Sequence, residues 1–241
     1  MSVLPKALAF DVFGTVVDWR GSIAREAAPV LAAAGRSDID SHDFADQWRA
    51  RYVPAMLAAN KARAASVSTA FVKLDSLHRT MLDDLLATLE IDLSDSVRAE
   101  LTRGWHRLDP WPDTVAGLTR LKTRFPIVTL SNGNISMMVA MARRAGLPWD
   151  AILGAEVAGA YKPAAHAYQA TAAALDVAPG ELCLVAAHHA DLAAARKAGL
   201  LCAFVHRPME YGGRPAPDRD AVQAWEYSAT SFTDLADLLG C

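Results

Sequence analysis

Four short stretches carry the side chains with chemistry to offer. Asp11, with Thr15 four residues on, closes the apolar run 6–12. Ser131-Asn132-Gly133 follows a second apolar run, Lys162 stands after a third, and His188 and Asp191 stand after a fourth. A carboxylate at the end of a buried strand is costly unless it is used, and an ionised one can act as a nucleophile. A nearby ammonium such as Lys162 would keep Asp11 ionised. A hydroxyl and an amide at a strand end just before a helix suit an anion, and so do the backbone N–H groups of Val12 and Phe13. An imidazole such as His188 titrates near neutrality and could serve as a base. Each has a plainer reading beside it: Asp11 or Ser131 as a cap, Thr15 as a turn residue, Lys162 as a solvated surface lysine.

Which reading holds depends on the elements that carry these residues. The run 6–12 suits a buried parallel strand. From 22 to 107 the pattern is helical, with helices expected at 22–34, 43–61, 72–90 and 94–107 and no convincing strand. Ser94 before Val97 and Leu101 reads as a capped start. Asp109-Pro110-Trp111-Pro112 excludes helix and reads as a stiff hinge. Beyond it, strands are expected at 127–130, 151–153, 182–186 and 201–205. Helices are expected at 135–145, 165–175, 192–198 and 231–239. The stretch 207–220, with Gly212, Gly213, Pro215 and Pro217, reads as a surface loop. Alternation of this kind implies α/β architecture: a doubly wound, Rossmann-like parallel sheet with an all-helical insertion after strand one. The core is expected over 1–15 and 109–241 and the insertion over 16–108. In such sheets ligands bind beyond the C-terminal strand ends, so the four stretches converge.

Composition narrows the class. The 241 residues are 52% hydrophobic and 21% charged, with a net charge of −3. That is ordinary globular usage without the basic footprint of a nucleic-acid binder. Three cysteines, none in a CxxC pair, argue against a disulfide framework or a cysteine zinc site and for a reducing cytoplasm. The first residues do not read as a signal peptide, and no run approaches membrane-helix length.

Taken in order, Asp11-Val12-Phe13-Gly14-Thr15, Leu130-Ser131-Asn132-Gly133, Tyr161-Lys162-Pro163 and Asp191 resemble the four motifs of the haloacid dehalogenase superfamily over nearly the whole chain. Phosphatases of that superfamily carry a second aspartate two residues after the nucleophile and a carboxylate cluster for Mg²⁺. Here position 13 is Phe, and Asp11 with Asp191 would make a thin cage for a hard cation. The chain is therefore more similar to the metal-free (S)-2-haloacid dehalogenases, with a phosphatase as the alternative and a non-catalytic binding protein as a third. The resemblance implies a hydrolase that needs no cofactor, acts on a short 2-haloalkanoate, and works as a homodimer in the cytoplasm.

The resemblance also implies roles. Asp11 is the nucleophile, Thr15 holds it, and Lys162 neutralises it. Asp191 orients Lys162 and helps activate the water, with His188 as a further candidate base. Val12, Phe13 and Ser131 bind the substrate carboxylate, and Asn132 helps hold the halide. Trp48-Arg49 resembles the family's Trp-Arg pair, whose arginine takes the halogen side; a solvated face is the plainer reading of Arg49. Tyr168, six residues after Lys162, matches the family's spacing and is expected to support Lys162. Motif four departs from the pattern: Ala186 and His188 stand where well-studied members carry Ser and Asn, and Ala190 stands where they carry an aromatic. These departures bear on the water base and on the halide cradle, so fluoride release stays open.

Overall fold

The computed structural model describes residues 4–65, 71–216 and 223–241. The chain divides into two compact units, one of Met1–Asp18 with Asp109–Cys241 and one of Trp19–Leu108. The first carries eight strands among the described residues: β1 (Ala7–Phe10), β2 (Val17–Asp18), β3 (Asp109–Pro110), β4 (Ile127–Ser131), β5 (Ala151–Gly154), β6 (Leu182–Ala186), β7 (Leu201–Val205) and β8 (Tyr227–Ala229). Six of them form one parallel sheet in the order β5-β4-β1-β6-β7-β8. β1 sits in the middle, and its four residues are all buried, as its unbroken apolar run requires.

Successive side chains of a strand face opposite sides. Ala7 and Ala9 share a core with Tyr168, Ala172, Leu192 and Ala195, which come from helices Ala165–Ala174 and His189–Lys197. Phe10 points the other way and meets Phe232 edge-on at 5.5 Å, on the final helix Phe232–Leu239. Helices thus cover both faces, the α/β arrangement that the alternating pattern predicts. Helix Thr114–Lys122, between the two prolines and β4, is not among the expected elements, and neither is the three-residue β8. The helix packs its Gly117 so tightly that an added Cβ would lie 2.3 Å from Phe232 Cβ and 2.7 Å from its carbonyl carbon. Gly117→Ala is expected to cost about 1–3 kcal/mol by overpacking, read as a lowered urea midpoint at unchanged slope.

The hinge reading of Asp109-Pro110 gains a partner. These residues pair antiparallel with β2, Val17 opposite Pro110 and Asp18 opposite Asp109. Residues 16–18 accordingly group with the sheet unit.

The second unit is helical, as its periodicity predicts: Trp19–Ala33, Ser41–Ala50, Tyr52–Ala65, Leu74–Thr88 and Asp95–Thr102, then a 3₁₀ turn Arg103–His106. Asp40 caps the second helix by accepting from the His42 and Asp43 N–H groups at 2.8 and 3.0 Å, and Ser94 caps the fifth through Val97 N–H. The expected single helix 43–61 is two, divided at Arg51. Pro54 explains the break, because it has no N–H to bond the Ala50 carbonyl and its ring crowds that carbonyl, so it is accommodated in the first turn of a new helix. Trp19, Trp48 and Trp105 fill the unit's core. His78 lies flat on Trp105 at 4.2 Å, and burial together with the nearby Arg49 charge holds its imidazole well below the usual range. It is a neutral core histidine.

Candidate active site

The C-terminal edge of the sheet collects the expected residues. Asp11 follows β1 directly, and its own N–H donates to Val185 O on β6 at 3.0 Å, so the nucleophile candidate is fixed by the sheet ladder. Ser131 ends β4. Lys162 follows the short helix Ala155–Ala158 beyond β5, and Asp191 sits in the first turn of the helix that His188 precedes after β6.

Asp11 is nearly buried, and donors hold both of its oxygens. Lys162 Nζ donates to Oδ1 at 2.8 Å. Thr15 Oγ1 donates to Oδ2 at 2.7 Å, and His188 Nδ1 lies 3.1 Å from the same oxygen. The Thr15 hydroxyl cannot swing away, because it also accepts the Ala187 N–H at 2.9 Å. Burial alone would push the Asp11 carboxyl up. The Lys162 charge and the His188 contact outweigh burial and hold it far below the ordinary carboxylate range. Asp11 is therefore an anion throughout the working pH range.

Lys162 bridges Asp11 and Asp191, reaching Asp191 Oδ2 at 2.5 Å. Burial would lower its pKa, but the two carboxylates raise it above the free value. Tyr168 donates to the other Asp191 oxygen at 2.6 Å. It is fully buried, and burial and the Asp191 charge raise its hydroxyl far above the usual phenol value. Tyr168 thus reaches Lys162 through Asp191, which fits the expected supporting role, and its ring is buried away from solvent. Asn132 lends its side-chain oxygen to the Lys162 N–H at 2.8 Å, and Ser131 Oγ accepts from Gly133 N–H at 3.1 Å. Asn132 thereby orients the loop that holds the ammonium, while Ser131 steadies its own turn and keeps its own proton to donate.

His188, a candidate base by residue type, lies in the site between two carboxylates. Nδ1 faces Asp11, and Nε2 faces both oxygens of Glu210 at 3.0 and 3.1 Å. Carboxylates only accept, so each ring nitrogen must carry a proton. Burial opposes that charge, but Glu210 and Asp11 outweigh it and raise the imidazole well above its ordinary value. In this state His188 is a cation. Its neighbour His189 diverges as the sequence suggests, stacking on Phe204 at 4.4 Å and accepting from Trp225 Nε1. Among the described residues no group of three or more His, Cys, Asp or Glu is arranged to hold a metal ion.

The chain matches the family model "haloacid dehalogenase-like hydrolase" over residues 5–199. A crystal structure of a defluorinating L-2-haloacid dehalogenase is 44% identical over 98% of this chain and 96% of its own, with a TM-score of 0.91. A second L-2-haloacid dehalogenase structure is 40% identical over 98% and 99%, at 0.90. The chain belongs to the haloacid dehalogenase-like hydrolases, in the L-2-haloacid dehalogenase group. Its curated relatives in that group include (S)-2-haloacid dehalogenase 4A of Burkholderia cepacia, 27% identical over 96% of this chain and 98% of the relative.

One residue of this dehalogenase's site stands outside the four motifs. Glu210 lies in the stretch expected to be a surface loop, yet it is 3% exposed. Arg207 anchors the turn that delivers it. Its Nε donates to Thr15 O and its Nη1 to Asp113, each at 2.7 Å, while Arg207 O accepts the Glu210 N–H. Gly14, with φ +85°, leaves the space: an added Cβ would sit 2.0 Å from Glu210 Oε1. The part of the expected loop at 217–220 lies outside the described residues. Arg49 belongs to the helical unit, where its guanidinium stacks on Tyr52 at 3.9 Å and on Trp19 at 5.4 Å, so it is not a merely solvated face.

Proposed function

We propose that this hydrolase converts short (S)-2-haloacids to (R)-2-hydroxyacids through an ester on Asp11, without a metal ion. The observation that carries the reading is the pairing of an ionised Asp11 with Lys162 at 2.8 Å while Phe13 stands where a phosphatase needs its acid. A halide leaves as a weak base and needs no proton. The Lys162 ammonium and the His188 imidazolium supply the positive charge that a cation would otherwise bring to Asp11.

In the first step an Asp11 oxygen attacks C2 from the side opposite the halogen. A C–O bond forms, and the C–X bond breaks with its electron pair leaving on the halide. Backbone N–H groups at Val12 and Phe13 and the Ser131 hydroxyl take the substrate carboxylate. Asn132 and, by the Trp48-Arg49 resemblance, Arg49 take the departing halide. In the second step water attacks Asp11 Cγ and gives a proton to Asp191, which Lys162 and Tyr168 hold in place. The alkoxide leaves and recovers that proton, so C2 is inverted once. The Asp11 carboxyl then releases its proton to solvent.

Halide release from L-2-chloropropionate, indifferent to EDTA and absent with the D enantiomer, is the expected result. Fluoroacetate belongs in the panel, since a relative 44% identical is described as defluorinating. No halide from either enantiomer, from chloroacetate or from fluoroacetate removes the reading. Mg²⁺-dependent turnover of a phosphate ester would replace it. A single turnover in ¹⁸O-water should place label in Asp11 and leave the first product unlabelled.

A further inference from the structure

We propose that Thr15 and a permanently charged His188 form an oxyanion hole on Asp11 Oδ2 for ester hydrolysis, that Asp11 attacks through Oδ1, and that Glu210 is the positioning residue that keeps His188 charged. The inference rests on the aspartyl-ester reading above and adds an assignment to each Asp11 oxygen.

The two oxygens are not equivalent. Among the described residues, Oδ1 accepts one hydrogen bond, from Lys162. Oδ2 accepts two, from a hydroxyl whose direction Ala187 N–H fixes and from an imidazolium whose far side Glu210 grips with both oxygens. An oxygen with two donors already in place is the poorer nucleophile. Oδ1 therefore bonds to C2 as the halide leaves, and Oδ2 becomes the carbonyl oxygen of the ester. When water adds to Cγ, passing its proton to Asp191, the carbonyl π pair moves onto Oδ2, where two preset donors meet it. Collapse restores the Cγ–Oδ2 double bond and breaks the Cγ–Oδ1 bond. Oδ1 then departs as the product hydroxyl with the proton from Asp191. Donors aimed in advance at the atom where charge develops stabilise the transition state without reorganising.

Glu210 matters most in the ester. The titratable groups facing His188 are Asp11, from the end of β1, and Glu210, from the turn after β7. Lys162 and Asp191 lie beyond the other Asp11 oxygen. Alkylation erases the Asp11 charge, so Glu210 alone then holds the proton on the ring. The fold secures it there with the Arg207 clamp and the space at Gly14. A base reading of His188 asks for the opposite, because the ring would have to shed its Nδ1 proton before it could take one from water.

The two readings predict opposite signs. Rapid-quench single turnovers on L-2-chloropropionate would follow the halide burst, for ester formation, and the decay of alkylated Asp11 by mass spectrometry, for hydrolysis. In Glu210→Gln the burst is expected within a few-fold of native. Ester decay should slow about 10²-fold at pH 8.5 and recover on lowering the pH to about 6, where an ordinary imidazole is protonated. The native ester should decay at a nearly constant rate over that range. His188→Asn, which keeps a neutral donor, should slow decay at every pH with no recovery in acid. Ester decay in Glu210→Gln that matches native at both pH values, or that slows in acid, overturns the proposal while leaving the aspartyl ester standing. A native enzyme that forms no ester at all removes both.

Discussion

Asp11→Asn is expected to release halide at least about 10⁴-fold more slowly than the native chain, the scale on which losing a covalent nucleophile is felt. The amide that replaces the carboxylate has no anionic oxygen to offer C2. The amide oxygen still accepts from Thr15 and His188, whereas the amide nitrogen is a donor and loses the Lys162 bond, and Lys162 keeps Asp191 as its counter-ion. The variant should therefore fold, with a far-ultraviolet circular dichroism spectrum like the native one and loss confined to chemistry. A halide electrode reads the rate, and calorimetry with the non-reacting D enantiomer or a 2-hydroxyacid reads whether binding survives. Activity within tenfold of native would take the nucleophile away from Asp11 and leave direct attack by water as the mechanism.

The motif residues were legible because the fold rule that gathers them is simple. In a parallel sheet the C-terminal strand ends share one edge; Asp11 stands at the end of the run 6–12, Ser131 just past 127–130, and Lys162 and Asp191 in the connections that follow 151–153 and 182–186. Glu210 escaped the same rule. It lies five residues beyond the end of β7 at Val205, in a stretch whose Gly212, Gly213 and Pro215 read as solvated turn. The available signal was Arg207 and Glu210 together, two charged residues three apart soon after β7, at the sheet edge that Asp11, Ser131 and Asp191 share. Loop composition outweighed that position. The place of His188 in the site was legible but its charge state was not: that depends on what faces it from another segment, and nothing in Ala187-His188-His189-Ala190 reveals Glu210 across the site.

Fold errors have local causes as well. Helix Thr114–Lys122 hides behind Pro110 and Pro112 and carries Gly117, a poor helix former that is there for its close approach to Phe232. β8 is three residues long, too short for a period-two pattern, and forms because β7 offers Ala203–Val205 as a template. The break at Arg51 was readable from Pro54, but the apolar spacing runs on through it and the periodicity alone suggests one helix.

Lys162→Met carries the second large expectation, because this ammonium serves the fold and the chemistry at once. It sits between two carboxylate oxygens at 2.8 and 2.5 Å with under a tenth of its side chain exposed. Removing it leaves two buried negative charges facing each other, and breaking a buried pair in this way costs about 3–5 kcal/mol. The sign with pH follows from the direction of each shift. Asp11 is held below its unfolded value, so its contribution is present above about pH 4 and fades as the pH falls through that region. Lys162 is held above its unfolded value, so its contribution is present below about pH 10 and fades as the pH rises beyond it. Urea midpoints of native and variant should lie furthest apart near neutrality and draw together towards pH 3. A separation unchanged from pH 7 to pH 3 would mean that the pair is not what stabilises this edge of the sheet. Activity should fall about 10³-fold, a little beyond the loss of one preset donor, because Lys162 both lowers the Asp11 pKa and stabilises the charge passing from Oδ1 to the ester. Without it the carboxyl of Asp11 rises, held down by His188 and the Thr15 hydroxyl alone among the described neighbours, so the acid limb of kcat/KM should move to higher pH. A variant with reduced rate but an unmoved acid limb would confine Lys162 to stabilising the transition state and leave the ionisation of Asp11 to its other neighbours.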